Sequence, residues 1–171
     1  MEVATLLIAV LGVALGVASL TWQIVAHVLS GGRVKVTLKV GGHSGQAMAS
    51  MPANKVTPAS LKQITSQGFS QPVIAVDVRN VGRMPVTVER WGITSAQGIQ
   101  AIPWGNSIGP TLPRRLESGE SASWAVDLST ALNLAQVSLA VLGKGKSSTR
   151  IVGVVELADG RMYKTPEAFG A

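Results

Sequence analysis

From Val3 to Ala26 the chain reads VATLLIAVLGVALGVASLTWQIVA, 24 positions without a charged residue. In a helix rising about 1.5 Å per residue, the Val3–Thr21 part alone nearly matches a hydrocarbon core of about 30 Å. Whatever follows is therefore read as tethered to a membrane. A secretory signal peptide would place positive charge ahead of an apolar core of about 7–15 residues. Met1-Glu2 brings a carboxylate instead, and the core is longer. An uncleaved anchor is preferred, although Gly16-Val17-Ala18 has the small residues of a cleavage site.

Flanking lysine and arginine orient a span. None precedes this one, whereas Arg33, Lys35 and Lys39 follow it. The expected topology is single-pass in the plasma membrane, with the N-terminus outside and the C-terminal domain cytoplasmic. Trp22 stands where an interfacial aromatic belongs, and Gln23 and His27 continue into the headgroup zone. Residues 1–29 are thus read as the anchor with its interfacial extension, and 30–32 as a junction. Gly12 and Gly16 form a small-xxx-small pair, with Ala14 and Ala18 a second, so a homo-oligomer through this helix face is one expectation. The plainer reading is that small residues are common in spans.

The remainder, 33–168 with a short tail at 169–171, is long enough for one domain with its own core. Glu2 is the only charge before Arg33, so a net charge of +6 for the whole chain leaves +7 on this part. Held at a membrane, it would be drawn to anionic headgroups. Nucleic acid is disfavoured as a partner, because the basic residues are dispersed and aromatics make up only 4% of the chain. The absence of cysteine removes disulfides, thiolate metal sites and a cysteine nucleophile.

The pattern after the anchor is mostly of period two. Arg33–Val40 alternates Val34, Val36, Leu38 and Val40 with Arg33, Lys35, Thr37 and Lys39, as a half-buried strand does. Residues 41–71 are rich in glycine, serine and proline and read as a mobile loop, with a short helix opening near Thr57-Pro58. Val73–Arg79 alternates again, Asn80–Arg83 reads as a turn, and Met84–Ile93 reads as its partner strand. Turns follow at 95–98 and around Trp104-Gly105-Asn106, and the turn 116–120 leads into a strand at Ser121–Val126. At Asp127–Gly143 the period lengthens. Leu128, Leu132, Ala135, Leu139 and Leu142 then form the apolar face of a helix capped by Asp127 or Ser129. A basic loop (Lys144, Lys146, Arg150) precedes a strand at Thr149–Leu157, and Asp159-Gly160, read as a type I′ turn, leads to a return at Arg161–Thr165. The fold class is therefore an N-terminal transmembrane α-helix followed by a mainly-β domain, an antiparallel immunoglobulin-like sandwich with one amphipathic helix near its C-terminus.

The stretches VIAVDVRNVGRMPVTVERWGI, LESGES and VVELADGRMYKT, with the WQIVAHVLSGGRVKV junction, resemble uncharacterised actinobacterial single-pass membrane proteins that carry an immunoglobulin-like sandwich. The resemblance covers most of the chain and implies this architecture. It implies no activity and no cofactor.

Motifs that resemble chemical signatures fit their contexts poorly. Gly105–Gly109 satisfies G-x-S-x-G, but Pro110 and Pro113 oppose the helix that a nucleophile elbow needs, and no histidine follows His43. Gly145-Lys146-Ser147 approaches a phosphate-binding loop with its helix on the wrong side. Lys144, Lys146 and Arg150 read as a solvated loop, or as a contact for lipid or an acidic partner. Asp77 reads as a surface pair with Arg79 or Arg90, and Trp91, Trp104 and Trp124 as packing residues. His27 and His43 lack a third metal ligand at a sensible spacing. The expected function is a non-enzymatic interaction or scaffold module at the inner membrane face, with an unidentified protein partner. The alternatives are an envelope-facing binding module and an enzyme whose site is assembled only in the fold.

Overall fold

The computed structural model describes residues 2–95, 98–103, 105, 107–142 and 150–170, with backbone alone at 27–30 and 142. Helix α1 (Glu2–Ser30) holds the apolar segment, and its Glu2–Ala26 part has a mean hydropathy of 2.5 and no buried share. Among the described residues it is the one helix long and apolar enough to cross a membrane. The rest is a mainly-β domain of antiparallel sheets.

One sheet is ordered β2-β1-β3-β7, from β1 (Val34–His43), β2 (Met48–Pro52), β3 (Gln71–Asn80) and β7 (Ser121–Asp127). The second is centred on the pair β4 (Val86–Ser95) and β8 (Arg150–Leu157). Short strands flank that pair. β5 (Gln100–Ala101) and β6 (Arg114–Leu116) pair with successive parts of β4, and β9 (Met162–Lys164) and β10 (Phe169–Gly170) with successive parts of β8. Inward residues of both sheets (Leu38, Ile74 and Val76 against Val88, Ile93 and Val155) share one core, to which Trp91 and Trp124 belong. Alternation places them there: every second residue of a strand points to the same face.

Several expectations are corrected. The stretch 41–71, read as a loop, continues β1 through Gly41-Gly42 to His43 and returns as β2. Glycine permits this, because a Cβ at Gly41 would collide with the Ala49 carbonyl and one at Gly42 would press on Phe69 and Ile64. The short helix, α2 (Pro58–Ser66), starts at a reciprocal cap in which the Thr57 hydroxyl accepts from the Ser60 amide and the Ser60 hydroxyl from the Thr57 amide. Strand β4 is not the partner of β3. Both neighbours of β3 are β1 and β7, and the turn after Asn80 carries the chain across to the other sheet. Residues 169–170 belong to the domain, because Phe169 pairs with Ile151. The Asp159-Gly160 turn is not type I′: only Gly160 has positive φ, and its amide bonds the Leu157 carbonyl.

Helix α3 (Leu128–Leu142) turns inward a face that shares Leu128 and Ala135 with the one expected but not Leu132. Leu128, Ala131, Leu134, Ala135 and Ser138 are buried, whereas Leu132 and Val137 are exposed. The Asp127 carboxylate accepts from the Ser129 amide, and bonding at Ser129 holds its pKa below the usual aspartate range. Strand β4 carries a bulge between Val88 and Arg90. The extra residue shifts the alternation, so that Val86 and Val88 before it and Trp91 and Ile93 after it all enter the core.

Candidate functional site

The end of the domain that the chain enters from α1 is built around Asn80, which has no exposed surface. Its side-chain amide donates to the carbonyls of Met84 (2.9 Å) and Leu116 (3.1 Å), and its Oδ1 accepts from the Gly82 amide (2.9 Å). Its own backbone bonds Gly119 and Glu120. One residue thus ties the end of β3, the crossover 81–85 and the turn before β7. The junction is bound into the same structure. The Arg33 carbonyl accepts from the amides of Val81 (2.8 Å) and Gly82 (3.1 Å). A Cβ at Gly82 would collide with Arg33 N and Gly31 O, and one at Gly32 would collide with Val86. The chain that leaves α1 is therefore hydrogen-bonded to the domain rather than joined to it by a free linker.

Charge at this end is uneven. The acidic residues there each bond an arginine close in sequence: Glu117 with Arg115 and Glu120 with Arg114, both at 2.8 Å, and Asp159 with Arg161. The Glu117 amide first, and Arg114 second, hold the Glu120 carboxyl below the usual range, and Arg161 does the same for Asp159. Cations remain. Lys35 and Arg79, both exposed, face each other directly across β1 and β3, and no carboxylate pairs with either among the described residues. Arg83 is exposed on the crossover beside Val81 and Met84, each 55% exposed. Lys35, Arg79 and Ser118 line a shallow cavity of about 440 Å³, with Asn80, Val81 and Gly119.

The structure distributes the sequence-predicted residues as follows. Trp22 lies on α1 at 73% exposure, and open space surrounds Gly12 and Gly16. Arg33 and Lys35 stand at the junction end. Lys39 is engaged further along β1, where it meets Asp77 at 3.1 Å, and the second Asp77 oxygen accepts from Ser123. Asp77 therefore pairs with neither Arg79 nor Arg90, and Arg90 meets Glu156 instead. Arg150 opens β8 opposite Gly170, at the other end of the domain, because β8 runs towards the junction end. Lys144, Lys146, Trp104 and Asn106 lie outside the described residues. Ser107 is exposed, and the next residue, Ile108, forms a two-bond bridge with Ala125 on the free edge of β7. Among the described residues no group of three or more histidines and carboxylates could hold a metal ion.

A second concavity, of about 600 Å³, lies beside β4, where Glu89, Trp91, Pro103 and Leu112 line it. Sequence reasoning missed Arg79 and Asn80 as site residues. The in-phase alternation of β1 and β3 placed Lys35 and Arg79 on outer faces, but only the pairing register brings them side by side. No protein-family model and no curated protein matches the chain.

Proposed function

We propose that the chain is a single-pass membrane protein whose β domain is a non-enzymatic interaction module held against the inner face of the plasma membrane. The observation that carries this reading is α1, an apolar helix with no buried share that passes after three residues into the first strand of the domain. A helix that leaves its whole apolar surface uncovered finds its solvent in lipid. Tethering then raises the local concentration of the domain for partners at the same surface. The cytoplasmic orientation rests on Arg33, Lys35 and Lys39, which follow the span.

The module itself is read as immunoglobulin-like. In this reading β1, β3 and β7 take the roles of strands A, B and E, and β4, β8 and the β9/β10 edge those of C, F and G. The buried Trp91 on β4 then occupies the place of the strand-C tryptophan, and α3 is the connection from E to F.

A reporter enzyme fused after Ala171 tests the orientation. Activity confined to the cytoplasm is expected, and activity only outside the cell would transfer the module to the envelope side. Crosslinking of the full-length protein in native membranes, followed by purification, tests the function. A reproducible second protein is expected, and recovery of the chain alone would replace the scaffold reading with a homo-oligomer.

A further inference from the structure

The outer face of the β1–β3 pair handles its charges in two ways. At Lys39 the register supplies an acid within reach, and the ion pair with Asp77 forms. Towards the junction the same pair of strands sets Lys35 opposite Arg79, and like charges directly across a ladder repel. The carboxylates that could relieve them, Glu117 and Glu120, are held by Arg115 and Arg114. Between the two cations and the 118–119 turn lies the cavity of about 440 Å³, lined by no acidic residue. Such an arrangement is short of one anion.

The position of the site says where that anion would come from. Only residues 31–33 separate α1 from β1, and three residues span at most about 10 Å. The hydrogen bonds from Val81 and Gly82 to the Arg33 carbonyl keep this end of the domain at the end of the helix. If α1 spans, its end meets the headgroup layer. We propose that Lys35 and Arg79 bind the headgroup of an anionic phospholipid, and that Val81 and Met84 of the crossover rest against the bilayer surface beside it. The inference rests on the anchored reading of α1. It replaces Lys39 with Arg79 in the lipid-facing set and makes the domain's orientation dependent on lipid charge.

The test uses the full chain in nanodiscs. Because the chain has no cysteine, Met84→Cys offers a single fluorophore position beside the site. Nanodiscs are made of phosphatidylcholine alone or with phosphatidylglycerol, each with a trace of headgroup spin label as quencher. Quenching is expected to be stronger with phosphatidylglycerol. The double variant Lys35→Gln/Arg79→Gln, which removes both positive charges, is expected to lower the docking equilibrium roughly twenty-five-fold, at about fivefold for each cation. Lys62→Glu, an exposed cation on α2, controls for net charge and is expected to leave quenching unchanged. Equal quenching in both lipids, or quenching that survives the double variant, overturns the headgroup site. An equal loss in Lys62→Glu overturns it too, in favour of diffuse attraction. A chain that does not enter nanodiscs at all overturns the anchor instead, which separates the two failures.

Discussion

The two ends of the β domain are closed by different means. The end next to α1 is closed by polar groups and bare backbone: Asn80 bonds three segments, and Gly32 and Gly82 let main chains meet. The far end is covered by α3, whose Leu128, Ala131, Leu134 and Ala135 lie on the ends of strands from both sheets. Polar closure demands shape, because each donor must meet its acceptor, whereas apolar closure demands mainly volume. The end that joins α1 is the shape-demanding one.

The contrast can be broken by substitution. Asn80→Leu would remove three side-chain hydrogen bonds, leaving the Gly82 amide only its longer bond to the Arg33 carbonyl and taking a donor from the carbonyls of Met84 and Leu116. A loss of about 3 kcal/mol is expected in denaturant unfolding of the detergent-solubilised chain. A loss well below about 1 kcal/mol would show that this end does not depend on Asn80. Gly82→Ala forces a methyl against Gly31 and Arg33, at an expected cost of about 2 kcal/mol. Its effect should be concentrated at the junction, with faster hydrogen exchange at Val81 and Gly82 than at β8. Uniform acceleration across the domain would contradict a locally pinned junction.

The far end should respond in the opposite sense. Ser138 is fully buried on α3, and its hydroxyl has no hydrogen-bond partner among the described residues. Ser138→Ala removes that orphan and improves helix propensity, so a gain of about 1 kcal/mol is expected by thermal unfolding. A loss would mean that the hydroxyl has a role in the cap. The smallest effect concerns pH. Glu120 has a lowered pKa in the folded chain, so its contribution is complete above the ordinary glutamate value of about 4.3 and fades as pH falls below it. Glu120→Gln should flatten the acid limb of stability between that value and the lower folded one. An unchanged limb would assign acid sensitivity to other carboxylates, Asp127 at the far end among them.

Legibility differed along the chain for physical reasons. The strand at Arg33–Val40 was readable because its two faces meet different solvents, and alternation records that directly. Glycine-rich 41–47 was not, since its pairing depends on missing side chains rather than on a pattern of present ones. The helix at 128–142 was readable as a helix but its buried face was not. Its apolar residues spread over more than one face, so Leu132 and Ala131 compete for the inside and packing decides. The cations of the candidate site were visible singly. Their juxtaposition was not, because a register between strands some forty residues apart leaves no local trace.

The apolar length of α1 and the period-two strands are properties of consecutive residues, set by helix rise and strand pleat, and the sequence by itself determined them. The tertiary structure alone decided that β3 and β4 belong to different sheets, and that a bulge at Val88–Arg90 turns Trp91 inward. It alone decided that Lys39 finds Asp77 while Lys35 faces Arg79. Those outcomes depend on which strand lies beside which, and that is settled by closing one core rather than by any single segment.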